Sequence, residues 1–166
     1  MYVLGIDPGL TRCGYGAVRR DGGSMRAVAA GVLTTPPSAG LPERLAELQQ
    51  GIRALLAELR PDAVAVERVF FQSNVRTAMS VGQASGVVLA ESVAAGCTVV
   101  EYTPTQVKAS VTGSGAADKQ QVQRMVQSLL GLAAAPKPAD AADALALAIC
   151  HLAAAPLQSR IKAVAR

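Results

Sequence analysis

Two short apolar runs that each stop on a carboxylate constrain this chain more than any other feature. Tyr2 to Ile6 ends at Asp7 and is closed by Pro8 and Gly9, while Ala63-Val64-Ala65-Val66 ends at Glu67. Both runs are too short for helices and are bounded by turn signals, so they read as buried strands. Between them, Leu41 to Leu59 carries Leu41, Leu45, Leu48, Ile52, Leu55, Leu56 and Leu59 at helical spacing, which predicts a crossover helix. A right-handed crossover lays the second strand beside the first and parallel to it. Asp7 and Glu67 should then share one edge of the sheet, the carboxyl edge where open α/β sheets place their chemistry.

The rest of the chain fits around that pair. Gly14 to Arg20 and Met25 to Thr34 read as two strands joined by Asp21-Gly22-Gly23, a hairpin signal, so three antiparallel strands precede the crossover. Ser73 to Gly96 predicts a helix whose apolar residues cover more than one stripe, with Gly82 and Gly86 four apart within it. One sheet face needs only one stripe, so the surplus predicts a second packing partner, most simply another copy of the chain; deep burial within one domain is the alternative. Thr98 to Tyr102 is the last strand. Helices are expected over Pro104 to Val111, Lys119 to Leu130 and Ala139 to Ala155, followed by a basic, flexible tail over 156–166.

At 166 residues this is one domain, 1–155, with room for a proper core but without the two lobes of a nucleotide-clamping ATPase. That argues against the phosphate-binding turn which Asp7-x-Gly9-x-Thr11 also resembles. No uninterrupted apolar stretch reaches membrane length and the N-terminus lacks a signal peptide's pattern, so a cytoplasmic protein is expected. Cys13, Cys97 and Cys150 are widely spaced and form no CxxC pair, which suggests neither a disulfide framework nor a zinc site. Sixteen basic residues face twelve acidic ones. A polyanionic partner fits that excess, with ordinary solubilising charge as the bland alternative.

The final helix opens Asp140-Ala141-Ala142-Asp143, and residues three apart on a helix lie within about 60° of each other, so both carboxylates leave one face of its first turn. Capping of free N–H groups explains such acids in many helices. The ensemble points further: Asp7, Glu67, Asp140 and Asp143 all sit at element ends in a chain with only eight other acids. Carboxylates gathered from different elements are the usual way to hold two Mg²⁺ about 3.5–4 Å apart, flanking a phosphodiester. His151, the lone histidine, lies about 12 Å beyond Asp143 along the helix and reads as structural. Phe70 and Phe71, the only phenylalanines, can serve the core or, by alternation, point one ring outward.

Asp-Pro-Gly at 7–9 with Gly-Tyr-Gly at 14–16, Val-Glu-x-Val-Phe at 66–70, Gly-Gln-Ala-x-Gly at 82–86, Lys119 before Gln121-Val122, and Asp-Ala-Ala-Asp-Ala-Leu-Ala at 140–146 together resemble the RuvC family of bacterial Holliday junction resolvases. The resemblance spans residue 2 to about 155. It implies a ribonuclease H-like fold, with a mixed five-stranded sheet flanked by helices, and a homodimer. It also implies Mg²⁺-dependent paired nicking of four-way junction DNA in homologous recombination and repair, two metal ions per site with Mn²⁺ able to substitute, and cooperation with the RuvA–RuvB branch-migration complex. The family's four acids match Asp7, Glu67, Asp140 and Asp143. Phe70 matches an aromatic that wedges or stacks at the junction, where stacking on a base is worth about 1–3 kcal/mol. Lys108 and Lys119 match lysines near the scissile phosphate, with Lys119 assigned to catalysis as well as DNA contact. Arg76 is a further DNA-binding candidate, as are Arg68, Arg124 and Lys137. Another ribonuclease H-like nuclease acting on a different nucleic acid is the alternative.

Overall fold

The computed structural model describes residues 1–68 and 75–164, with the side chains of 75–77 and 156–164 outside that description. The strands are β1 (Tyr2–Asp7), β2 (Arg12–Asp21), β3 (Ser24–Thr34), β4 (Ala63–Glu67) and β5 (Thr98–Tyr102); the helices are α1 (Leu41–Leu59), α2 (Val75–Ala94), α3 (Pro104–Thr112), α4 (Lys119–Leu129) and α5 (Ala139–Val164). One sheet holds all five strands in the order β3-β2-β1-β4-β5. β1 and β2 pair antiparallel, as do β2 and β3, while β4 lies parallel to β1 and β5 parallel to β4. This is the mixed sheet the sequence predicts. Its register sets Ile6 opposite Val66, which makes Asp7 and Glu67 neighbours at the carboxyl edge.

Strand alternation divides the core in two. Tyr2, Leu4, Ile6, Val64 and Val66 pack with Leu48, Ile52 and Leu56 of α1 and Ala84 and Val88 of α2. Val3, Ala63, Ala65 and Tyr102 face the other way, onto α3, α4 and α5. Asp7 shares the parity of Val3, and Glu67 that of Ala63 and Ala65. Both carboxylates are therefore directed to the α5 face. On α1 the buried stripe starts one turn later than the leucine spacing implies, because Leu41 at the first turn stays 39% exposed.

Helix α5 approaches β1 and β2 closely enough that side chains there would collide with its backbone. A Cβ on Gly5 would meet the Ala144 carbonyl, one on Gly14 the Asp140 carbonyl, and one on Gly16 the Leu145 nitrogen at 2.6 Å. These glycines bring the first turns of α5 against the sheet. Ala141, Ala142, Ala144, Leu145 and Leu147 are at most 1% exposed, so the helix cannot slide or turn without opening the core.

The end of α5 departs from expectation. The helix continues past Ala155 to Val164 with Pro156 inside it, where a tail was expected to begin. Proline has no N–H for the carbonyl four residues earlier, normally a reason for a helix to stop. Here that carbonyl, on Leu152, accepts a 2.7 Å hydrogen bond from Arg20 Nη1 of β2, so the lost partner is replaced from the sheet. Among the described residues, no helix is long and apolar enough to cross a membrane.

Candidate active site

Asp7 and Glu67 stand side by side on adjacent parallel strands, both only partly exposed. Among the described residues, none donates a hydrogen bond to either carboxylate. Burial raises Asp7 from the usual carboxylate range to about 6, with the charges of Asp143 and Asp140 adding to the rise and Lys119 opposing it. Burial likewise raises Glu67 to about 7, helped by Asp7 and Asp143 and opposed by Lys119 and Lys108. Both shifts report one fact: negative charge is crowded where water solvates it poorly.

The first turn of α5 supplies the other two acids. Asp140 and Asp143 leave the same side of the helix, above the strand pair, as their i, i+3 spacing predicts. Each is engaged by a cation, which among the described residues neither strand acid is. Lys119 Nζ, at the start of α4, donates to Asp143 Oδ2 at 2.8 Å. That hydrogen bond, with the charges of Asp143, Asp7 and Asp140, raises the lysine's pKa. Asp118 begins α4 with a capping box closed by Gln121, which fixes where Lys119 starts. Arg12 donates from Nε and Nη2 to Asp140 Oδ2 at 3.2 and 2.8 Å and holds that carboxyl below the usual range. Capping thus leaves the helix acids incompletely explained, since their strongest partners are side chains from other elements.

Of the remaining candidates, Lys108 on α3 is half-buried and close enough to Glu67 to oppose its rise in pKa. Phe70 and Phe71 lie outside the described residues, and so does the side chain of Arg76. His151 is 2% exposed, its Nδ1 2.9 Å from the Tyr102 hydroxyl, and burial lowers its pKa. It is the core histidine that the sequence suggests. Arg12 is the residue that sequence reasoning missed. It is 128 positions from Asp140, and the only local hint is a cation following the Asp-Pro-Gly-Leu-Thr turn.

The four carboxylates fit a hard divalent cation by donor chemistry: all are oxygen ligands, and two, half-buried, accept no hydrogen bond from the described residues. Among the described residues, however, no three converge on one coordination point as they stand. The helix acids are occupied by Arg12 and Lys119 instead.

With this arrangement in view, the family described as crossover junction endodeoxyribonuclease RuvC matches residues 3–151 of the chain. The chain belongs to the RuvC family. A RuvC from Chloroflexus aggregans is 54% identical over 160 residues, covering 96% of this chain and 98% of the relative. One from Streptomyces avermitilis is 56% identical over 165 residues, covering 98% and 93%. Among solved structures, Thermus thermophilus RuvC in complex with a Holliday junction substrate superimposes with a TM-score of 0.90 at 40% identity, over 95% of this chain and 96% of that one. The yeast mitochondrial Holliday junction resolvase Ydc2 matches with a TM-score of 0.69 at 16% identity, which speaks for the fold alone. The RuvC fold is the ribonuclease H-like arrangement expected from the sequence.

Proposed function

We propose that the chain is a structure-selective endodeoxyribonuclease that resolves Holliday junctions by metal-dependent hydrolysis of phosphodiester bonds. One observation carries the reading: four carboxylates from three elements gather over the carboxyl edge of β1 and β4, two of them held there without a hydrogen-bond donor among the described residues. Asp7, Glu67, Asp140 and Asp143 are the residues to hold Mg²⁺, two ions per site, with Mn²⁺ able to substitute. Bound there, the metal would lower the pKa of an attacking water and stabilise charge building at the phosphorus and the leaving 3′ oxygen.

The chain's own residues supply the rest. Lys119 spends one donor on Asp143 and has two left for a phosphate oxygen, so it can orient the scissile group while staying anchored. Lys108 adds positive charge on the α3 side of Glu67. Ala65, on the same sheet face as the strand acids, and Ala141 and Ala144 of α5 are fully buried and keep water from the core side of the carboxylates. Hydrolysis is balanced by water alone. Its oxygen bonds to phosphorus, the bond to the 3′ oxygen breaks, and the water's proton passes to that oxygen through solvent or a site group.

Selectivity for a four-way junction asks for two sites acting together. On α2, Met79 and Val93 are 58% and 64% exposed, and Gly82 and Gly86 face open space, so one side of the helix presents an apolar, small-residue stripe. Two copies joined through it by a two-fold axis would offer two sites to two strands. Phe70 stacking at the junction, DNA contact by Arg76, and cooperation with the RuvA–RuvB complex rest on the family resemblance. The test is a single assay in Mg²⁺ with a synthetic four-way junction, a linear duplex and an RNA–DNA hybrid as substrates. Paired nicks in the junction alone support the proposal; preferred cleavage of the hybrid or the duplex overturns it in favour of another ribonuclease H-like nuclease.

A further inference from the structure

Among the described residues, two of the four site acids are paired with a cation and two are not, and the guard on Asp140 is built into the turn that follows Asp7. Thr35 Oγ1 donates to the Leu10 carbonyl at 2.6 Å, and Arg44 donates to Thr11 Oγ1 at 2.6 Å and to Thr35 Oγ1 at 2.9 Å. Leu10 is 6% exposed and Cys13 fully buried. Arg12 therefore leaves a backbone fixed on both sides, with its guanidinium aimed at α5. Two of its donors converge on one oxygen, Asp140 Oδ2. The pair is open to solvent, with side-chain exposures of 47% and 30%. A contact of this kind orients a carboxylate and still lets go.

We propose that Arg12 is a cationic latch that competes with the divalent metal for Asp140 and so sets the metal concentration at which the site fills. The inference rests on the reading of Asp140 as a metal ligand. The guanidinium occupies Oδ2, so an ion that coordinates this oxygen must displace it. While in place, the latch offsets part of the repulsion among the four acids and keeps the first turn of α5 in position. Lys119 makes the corresponding contact with Asp143 through a single ammonium at the end of a flexible stem, whereas Arg12 brings a rigid fork from an immobilised turn. Arg12 is thus a positioning residue that acts through Asp140.

The test measures metal binding without DNA. Mn²⁺ is titrated calorimetrically at pH 8 into wild type, Arg12→Gln, Asp140→Asn and the double variant. Arg12→Gln should bind about fivefold more tightly, equivalent to about 1 kcal/mol, the upper value for an exposed ion pair. The gain should vanish in the Asp140→Asn background, because the competitor then has nothing to compete for. A merely structural role for Arg12 would lower the melting temperature and leave the affinity unchanged. If Asp140→Asn weakens binding while Arg12→Gln leaves it unchanged or weaker, the latch is overturned and the metal site stands. Wild-type affinity in Asp140→Asn overturns the ligand reading and the latch with it. Arg12→Lys covers the case in which the glutamine variant does not fold. Its ammonium cannot reproduce the fork, so its affinity should lie above wild type, and an affinity equal to wild type counts against the proposal.

Discussion

Replacing Asp7 by asparagine should stabilise the metal-free protein while destroying its chemistry. Asp7 is raised from 3.8 to about 6, a shift of about two units, and each unit is worth about 1.4 kcal/mol. Holding Asp7 ionised in the folded chain therefore costs up to about 3 kcal/mol, reduced to about 1–3 kcal/mol by its partial exposure to solvent. Because the folded pKa is the higher one, the folded state binds more protons than the unfolded state between about pH 4 and 6. Stability from this group falls as pH rises through that window and is lowest above it. Glu67, raised to about 7, extends the decline by a further unit. Asparagine carries no charge to hold and relieves Glu67 of its neighbour. For a chain of this size, about 2–4 °C per kcal/mol gives an expected rise in melting temperature of about 2–12 °C for Asp7→Asn at pH 8 in chelator. The rise should shrink to about half at pH 5 and approach zero only below about pH 4, where Asp7 of the unfolded chain is protonated as well. Added Mg²⁺ should then stabilise wild type more than the variant, since binding to the native state shifts the equilibrium. Differential scanning calorimetry over pH 5–8, with and without metal, provides the measurement. A variant that melts below wild type at pH 8 in chelator, by an amount independent of pH, would refute the crowded-charge account of the site.

Three further outcomes are expected. Glu67→Gln, Asp140→Asn and Asp143→Asn should each suppress nicking of a four-way junction by orders of magnitude while gel-shift binding persists or tightens, because on the proposed reading each would remove a metal ligand and a negative charge near phosphates; normal turnover by any one removes that acid from the site. Gly86→Arg should place a charged side chain where open space now lies, giving monomers by light scattering and single rather than paired nicks, and an intact dimer would move the interface away from α2. Phe70→Ala should cut cleavage of intact junctions with little change in melting temperature, whereas a core role would show as a loss of about 3–5 kcal/mol.

Features that depend on local pattern are legible in the chain alone. Asp7 and Glu67 were legible because each closes a short apolar run, and a crossover helix leaves two such strands parallel and adjacent. Asp140 and Asp143 were legible because i, i+3 spacing puts both on one side of a helix. The excess of apolar and small residues on α2 was equally plain, since periodicity counts faces without knowing what covers them. Tertiary structure decided the rest, because those facts are contacts between segments that share no local signal. Nothing near Arg12 or Asp140 marks them as partners across 128 residues; the pairing exists because glycines at 5, 14 and 16 admit the backbone of α5 to the sheet and a hydrogen-bonded turn aims the guanidinium. Pro156 reads locally as the end of a helix, yet α5 runs on to Val164, since Arg20 from a distant strand takes the carbonyl that proline leaves bare. The pKa values of Asp7 and Glu67 belong to the same class, for their rise comes from burial and from charges on other elements, which only the folded chain brings within reach.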